Sequence, residues 1–519
     1  MKDNILLLTF DVGSQSTRGL IFDTKGNLID IEKVEYPPIK SKKVGYWEVH
    51  PDVFYNSICQ ASSILYERNQ EKWDQIIGVS ITTLRDTPVF LDKDYNVVRD
   101  TILWADQRQA SNKFKLPFWV STLMWIVGLY PTGLAQGKQS RSNWLIEYEP
   151  ENWKKIEHYW FVSTYLNYKI TNNGVDTPSY MIGHIPIDFR KQKYYSKFNM
   201  KNHVFNIKKD QLPPLVKTGS IIGYINKETA LKSKMKESWP LVSSGSDKGC
   251  ETVGTGACQS GYASISFGTA SSIQFTSKKF VEPYMFLPSY PSVIPNLFNT
   301  EIQIYRGYWM INWFKRQFAQ RESRRAYILD TSAEKILNQS LTTVPPGCHG
   351  LILHPFWGPM LRNPEAKGSI IGFTDYHTKA HVYRAIIEGI GFELYHAFLR
   401  LKRRTKQKIH TITVSGGGSQ DDTICQINAD IFGIPIKKIQ TFETSGLGAA
   451  IAATVALNVY DSYEEATKNM VHYTKEYIPN IKNHQLYNDL YNRIYKKVYP
   501  RLKKLYKVMP KIIDSDVLE

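Results

Sequence analysis

The chain has 519 residues, 42% hydrophobic, 13% aromatic and 22% charged, which excludes a disordered or collagen-like chain and a disulfide miniprotein. Its length predicts about two to four domains, because single cores stop growing near ~250–300 residues. With 65 Lys and Arg against 48 Asp and Glu, the net charge of +17 suits anionic partners: nucleic acid, an anionic membrane surface or phosphorylated small molecules.

Residues 5–11 read as an apolar strand running into the small polar turn Gly13-Ser14-Gln15-Ser16-Thr17. Apolar residues resume at 19–22, and a turn at Thr24-Lys25-Gly26-Asn27 leads to a third strand over 28–34, so the chain opens as a meander. Helical periodicity follows over 56–66, then strands over 76–82 and 87–91. The aromatic-rich stretch 115–144 reads as helical and buried in places. Beyond Trp239 the pattern returns. A strand over 241–246 arrives at Asp247, a helical run covers 249–256, and a strand over 263–267 enters Gly268-Thr269-Ala270-Ser271-Ser272 before apolar residues resume. A strand over 409–414 then ends in Ser415-Gly416-Gly417-Gly418-Ser419, followed by a helix from about 421 to 432, with Ile424, Ile427 and Ile431 at helical steps. Two α/β halves, 1–240 and 241–519, are therefore expected. The lysines between 496 and 507 fall at helical spacing, which predicts a C-terminal amphipathic helix with a solvated basic face.

No apolar run approaches the roughly 18–20 residues of a membrane span, and Asp11 ends the first one too early for a signal peptide. Five scattered cysteines without a CxxC pair predict neither a disulfide framework nor a metal knuckle, so a reducing cytoplasm is the expected place. The basic residues carry no nucleic-acid-reading signature. Neither nucleic acid nor membrane is expected as a partner.

Gly/Ser/Thr turns after strands offer backbone N–H groups to phosphate. Three occur here, at 13–17, 268–272 and 416–419, two of them near an Asp. Any one alone could serve only chain reversal. None fits GxxxxGK[ST] or GxGxxG, which counts against P-loop and Rossmann readings. Asp247 alone reads equally well as a helix cap after Ser246, Asp11 as the start of an Asx turn, and Trp104 as core.

Together these residues resemble the FGGY family of carbohydrate kinases along nearly the whole chain. Phe10-Asp11-Val12-Gly13-Ser14-Gln15-Ser16-Thr17-Arg18 is similar to the family's first phosphate motif, and Ser266-Phe267-Gly268-Thr269 to its second. Gly45-Tyr46-Trp47-Glu48-Val49-His50-Pro51 and Ile102-Leu103-Trp104-Ala105-Asp106-Gln107-Arg108 resemble two further segments, and Gly245-Ser246-Asp247 the G-x-D that opens the second domain. Gly368-Ser369-Ile370-Ile371-Gly372, His381 and Ala385-Ile386-Ile387-Glu388 match the C-terminal signature, with Phe373 at a usually aliphatic place. Residues 415–422 and Glu443-Thr444-Ser445-Gly446-Leu447-Gly448-Ala449-Ala450 resemble the adenosine and connecting motifs.

The resemblance implies an α/β fold of two actin-like (ribonuclease H-like) ATPase domains with an interdomain cleft. Asp11 and Asp247, one from each half, would be neighbours across it. The implied activity is ATP-dependent, Mg²⁺-assisted phosphorylation of a sugar or polyol hydroxyl, with Asp247 as base and Asp11 and Asp247 at the metal. Gly13, Ser14, Ser16, Thr17, Arg18, Gly268, Thr269, Gly416, Gly417, Gly418 and Asp421 would hold ATP; Arg85, Asp86, Trp104 and Asp247 would hold the acceptor. The alternative is a non-catalytic nucleotide- or sugar-sensing relative, since fold does not fix function. Asp421 stands where the family usually has Asn, Asp86 where glycerol kinases have Glu, Gln136 near the place of their Tyr, and Arg141 for a Lys. The chain thus resembles neither a clear glycerol kinase nor a clear xylulokinase. A homodimer is one option for its assembly.

Overall fold

A computed structural model describes residues 4–38, 43, 45–111, 114–259, 261–284, 287–358 and 365–512. Two compact units account for them. The first comprises residues 1–254, 278–299 and 444–472, the second 255–277, 300–443 and 473–519.

The first unit is built on β1 (Leu6–Val12), β2 (Ser16–Asp23), β3 (Leu28–Glu35), α1 (Asp52–Arg68), β4 (Ile76–Thr83), β5 (Ile221–Tyr224), β6 (Pro240–Ser246) and α2 (Asp247–Gly254). Its sheet runs in the order β5-β6-β4-β1-β2-β3. β1 is antiparallel to β2 and parallel to β4, and β6 is parallel to β4. β1 and β4, flanked on both sides by neighbouring strands and covered on both faces, are almost continuously buried, as interior parallel strands are. The edge strand β3 is mostly exposed or half-buried.

A period of two along β1 and β2 sorts their side chains between the faces. Phe10, Val12, Thr17 and Gly19 point toward α1, where a Cβ on Gly19 would lie 2.9 Å from Leu65 and 3.1 Å from Ala61. The opposite face carries Asp11, Arg18, Leu20 and Phe22 and packs against the helix Thr444–Ala456, whose Gly446 faces Leu20 and Phe22. That helix also crosses α2 at backbone contact. A Cβ on Gly448 would stand 1.9 Å from the Cys250 carbonyl oxygen, and one on Gly254 1.9 Å from that of Thr444. The small residues of the Ser445–Ala450 stretch therefore serve this crossing.

The second unit repeats the plan with β7 (Tyr262–Phe267), β8 (Ser271–Ser277), β9 (Phe298–Ile304), α3 (Trp309–Phe318), α4 (Lys379–Thr405), β10 (Thr411–Ser415), α5 (Asp422–Phe432), β11 (Ile436–Ile439) and β12 (Tyr473–Tyr477). Six strands of its seven-stranded sheet run β9-β8-β7-β10-β11-β12, the same succession as β3-β2-β1-β4-β6-β5. Both start from an antiparallel β1/β2 or β7/β8 hairpin with a parallel strand beside its first member. The expected pair of α/β halves is present.

The expected boundary at 240 and the expected place of Asp247 need correction. Residues 240–246 form β6, which completes the first sheet by pairing with β4, so Asp247 belongs to the first unit together with Asp11. In register, Asp11 lies beside Thr82 and Ser246 beside Thr83. Both carboxylates therefore emerge at the C-terminal edge of the same parallel strands, two strand spacings apart, on the order of 10 Å. They are neighbours within one sheet.

Candidate active site

Asp247 is the first residue of α2. The helix-capping role open to it falls instead to Ser246, whose Oγ accepts from Gly249 N at 3.4 Å. Asp247 Oδ1 accepts from Lys248 N at 2.7 Å and stands 3.8 Å from Arg85 Nε. The Arg85 guanidinium lies 5.2 Å from the Tyr290 ring centre, and Lys248 pairs with Glu251 at 2.6 Å. The Asp247 side chain keeps 37% of its surface open although protein surrounds the carboxylate. That desolvation pushes its pKa above the ordinary carboxylate value, against the pull of Arg85 and Lys248.

The turn after β1 closes with Gly13 N donating to Ser16 O at 3.0 Å. Arg18 stands 3.9 Å from Asp11, its cross-strand partner. Ser14 Oγ accepts from Trp104 Nε1 at 2.8 Å, so Trp104 is an exposed side chain tied to the phosphate-type turn and is not core. Thr17 requires correction. It is fully buried on the α1 face, its Oγ1 sharing hydrogen bonds with Tyr36 at 2.8 Å and Ser57 at 2.7 Å, so its side chain is turned away from the Asp11 face. Ser16 is buried as well.

Behind Trp104 sits a buried ion cluster built from the motif residues. The Arg108 guanidinium donates twice to Asp106 at 2.8 Å and to Glu48 at 2.6 Å. It lies 4.0 Å from the Tyr46 ring centre and 4.6 Å from that of Trp144. Asp106 also accepts from Trp47 N, and Arg141 donates to the carbonyls of Leu103, Trp104 and Asp106. These residues fix the loop that presents Trp104.

Asp86 has a left-handed backbone, φ +50°, which a short polar residue tolerates. Its carboxylate accepts from His184 N at 2.8 Å and bonds His184 Nδ1 at 2.6 Å. Burial works to raise its pKa, but His184 and Arg141 hold it below the ordinary value. Gly183 permits the approach, since a Cβ there would lie 2.4 Å from Asp86 Oδ1. Sequence reasoning did not single out His184, Lys248 or Tyr290; Lys248 adjoins Asp247 in the chain, whereas His184 and Tyr290 meet the site only through tertiary contact and no local pattern marks them.

In the second unit, Gly268 and Thr269 form the turn between β7 and β8, and their carbonyls accept from Tyr308 N and Trp309 N at the start of α3. The three glycines after β10 differ. Gly416 has φ +79° and rests on the Phe267 and Gly268 backbone, Gly418 packs on Tyr308, and a Cβ on Gly417 would meet nothing within 4 Å. Asp421 caps α5 by accepting from Ile424 N at 3.0 Å, and its other oxygen accepts from Asn338 Nδ2 at 2.9 Å. Both oxygens are engaged within the unit. Among the described residues no group of three or more His, Cys, Asp or Glu could hold a metal by itself.

A duplicated mixed sheet, with carboxylates at the C-terminal strand edge of one copy and glycine turns in the other, defines a two-domain α/β ATPase fold. The fold matches a ligand-bound xylulose kinase from Lactobacillus acidophilus at a TM-score of 0.81 and 22% identity, covering 97% of this chain and 99% of that one. It also matches the Plasmodium falciparum glycerol kinase with ADP, at a TM-score of 0.75 and 19% identity over 95% of this chain and 98% of the other. In sequence, the uncharacterized sugar kinase YgcE of Escherichia coli strain K12 is 25% identical, covering 97% of this chain and 96% of its own. A xylulose kinase of Lactococcus lactis is 26% identical, with 92% and 93% covered. Residues 6–254 match the N-terminal domain, and 263–457 the C-terminal domain, of the FGGY family of carbohydrate kinases. The chain belongs to that family, whose members use ATP as phosphate donor. No helix among the described residues is long and apolar enough to cross a membrane.

Proposed function

We propose that the chain transfers the γ-phosphoryl group of ATP to a hydroxyl of a small sugar or polyol (a pentulose, hexulose, pentitol or glycerol-like compound) in the cytoplasm. The observation that carries this reading is Asp247: a solvent-reachable carboxylate with a raised pKa, 3.8 Å from Arg85, at the C-terminal edge of parallel strands, where open α/β sheets bind their ligands. Xylulose kinases and gluconokinases among the relatives favour five- and six-carbon acceptors.

Asp247 accepts the proton of the attacking hydroxyl. A carboxylate suffices because phosphoryl transfer has a loose transition state with little nucleophile activation. Arg85 stabilises the ionised form of Asp247, and Asp86, held charged by His184, accepts from a second hydroxyl. Trp104 offers an apolar face to the C–H side of the acceptor. Ser14 and Arg18 with the backbone of residues 13–16, and Gly268, Thr269 and Gly417 in the second unit, contact the triphosphate. Asp421 shapes the glycine turn as a cap. Mg²⁺ fits this donor set, because it retains water and takes phosphate oxygens beside one or two carboxylates; Asp11 and Asp247 would hold it, and when bound it neutralises phosphate charge.

The test is ADP release across a panel of pentuloses, hexuloses, pentitols and glycerol, with the wild type and Asp247→Asn. One acceptor class should dominate, and the variant should lose about 10²–10⁴-fold in kcat at nearly unchanged KM. Equal turnover by both proteins removes Asp247 from the chemistry. ATP binding by calorimetry without turnover on any acceptor would favour the sensing alternative.

A further inference from the structure

The helix Phe118–Ile126 contains no charged residue, and only Val120 and Met124 of it are buried. Helices apolar all round are normally enclosed. Here Phe118 is 88% exposed, Trp125 75% and Ile126 67%, with Trp119, Leu123 and Val127 also open. Exposed apolar surface of this extent marks an interaction site. Trp119 meets the His203 ring edge-on at 4.9 Å, and His203 lines a cavity of about 630 Å³ with Lys197, Lys208 and Lys209. These three lysines and Lys115, just before the helix, are exposed, as is Phe198. Asp210 is the one acidic residue lining the cavity.

We propose that this face docks the protein on an anionic lipid surface, the aromatic side chains entering the headgroup layer and the lysine cavity receiving anionic headgroups. Two features, the aromatic side chains and the flanking charge, favour lipid over a second copy of the chain. Tryptophan partitions into the membrane–water interface, where its amphipathic ring meets both phases, and phenylalanine adds apolar surface for the acyl boundary. Nine residues are too few to span a bilayer, so the helix would lie in its surface. The flanking charge is basic in a chain of net charge +17, so two copies meeting at this face would bring lysines against lysines, whereas anionic headgroups neutralise them.

The experiment is cosedimentation of the full chain with phosphatidylcholine vesicles, with and without phosphatidylglycerol. Binding is expected only with phosphatidylglycerol and should weaken as salt rises. Phe118→Ser with Trp125→Ser should reduce the bound fraction at least about tenfold, and Lys208→Glu with Lys209→Glu should abolish the preference for phosphatidylglycerol. Both variants should keep acceptor-dependent ADP release. Should the first variant misfold, quenching of wild-type tryptophan fluorescence by brominated lipid decides in its place. The proposal is overturned by no binding to anionic vesicles, by binding indifferent to the Phe118 and Trp125 changes, by absence of quenching, or by a dimer in light scattering that those changes dissolve.

Discussion

At Asp247 two opposing influences meet. Enclosure by protein favours the neutral acid, and the Arg85 guanidinium favours the carboxylate; the net effect is a raised pKa. A general base must be ionised to work, so the acid limb of the kcat profile should reflect this raised value. Arg85→Gln removes a lowering influence and should move that limb to higher pH, measured as kcat from pH 4 to 8; an unmoved limb means that Arg85 does not act on the base. The same shift bears on stability. A carboxyl whose folded pKa exceeds its unfolded value contributes stability that is full below the unfolded pKa and lost as pH rises through the folded one. At neutral pH the charge therefore costs stability, and Asp247→Asn should raise the thermal midpoint while it removes turnover. The role of Asp247 was legible only through the ordered motifs around it. Tyr290 against Arg85 and His184 on Asp86 were not, because they arrive from distant segments with no periodic or motif signal of their own.

Between residue and molecule, the elements show that a recognisable motif mixes working residues with supporting ones. The hairpin after β1 was legible as a polar turn beside a carboxylate, but the strand period that sends Thr17 to the α1 face and Arg18 to the Asp11 face depends on register, which the turn does not disclose. Arg108 was legible as part of a motif, whereas its enclosure by Tyr46, Trp144, Asp106 and Glu48 was not. Arg108→Met leaves the buried Asp106 carboxylate without its guanidinium partner, while Glu48 keeps Arg99, and should cost about 3–5 kcal/mol in chemical denaturation; a loss within about 0.5 kcal/mol, typical of surface changes, would show that the pair contributes no such stability. The glycine run separates in the same way. Gly416 and Gly418 are required by the fold, one by φ +79° and the other by Tyr308, while Gly417 has open space above it. Gly417→Val should therefore leave the thermal midpoint nearly unchanged and, if the proposed nucleotide contact holds, raise KM for ATP several-fold. Gly418→Val should instead destabilise, since its Cβ would lie 2.5 Å from the Tyr308 ring. An unchanged KM in the first variant removes Gly417 from the nucleotide contacts.

Across the whole molecule the duplication was readable as two strand–turn–strand openings, and its boundary was not. β6 reads as the start of something new because it follows a long irregular stretch and leads into Asp247, yet parallel pairing with β4 claims it for the first sheet. Parallel partners are distant in sequence by construction, so local pattern cannot assign them. By unit, Asp11, Asp247 and the residues proposed for the acceptor belong to the first, and Gly268, Thr269 and Gly417 to the second. If ATP is held by the residues proposed, a non-hydrolysable ATP analogue should slow amide hydrogen exchange in both units, at residues 13–18 and at 268–270 with 416–419. Local opening of each turn is then coupled to ligand occupancy, and protection grows with ligand concentration as RT ln(1 + [L]/Kd). A sugar acceptor alone should protect 84–87 and 183–185 without affecting the glycine turns. Protection of one unit's turn and not the other by the analogue would mean that the two phosphate-type sequences do not serve a single nucleotide, and would return the unprotected turn to chain reversal alone.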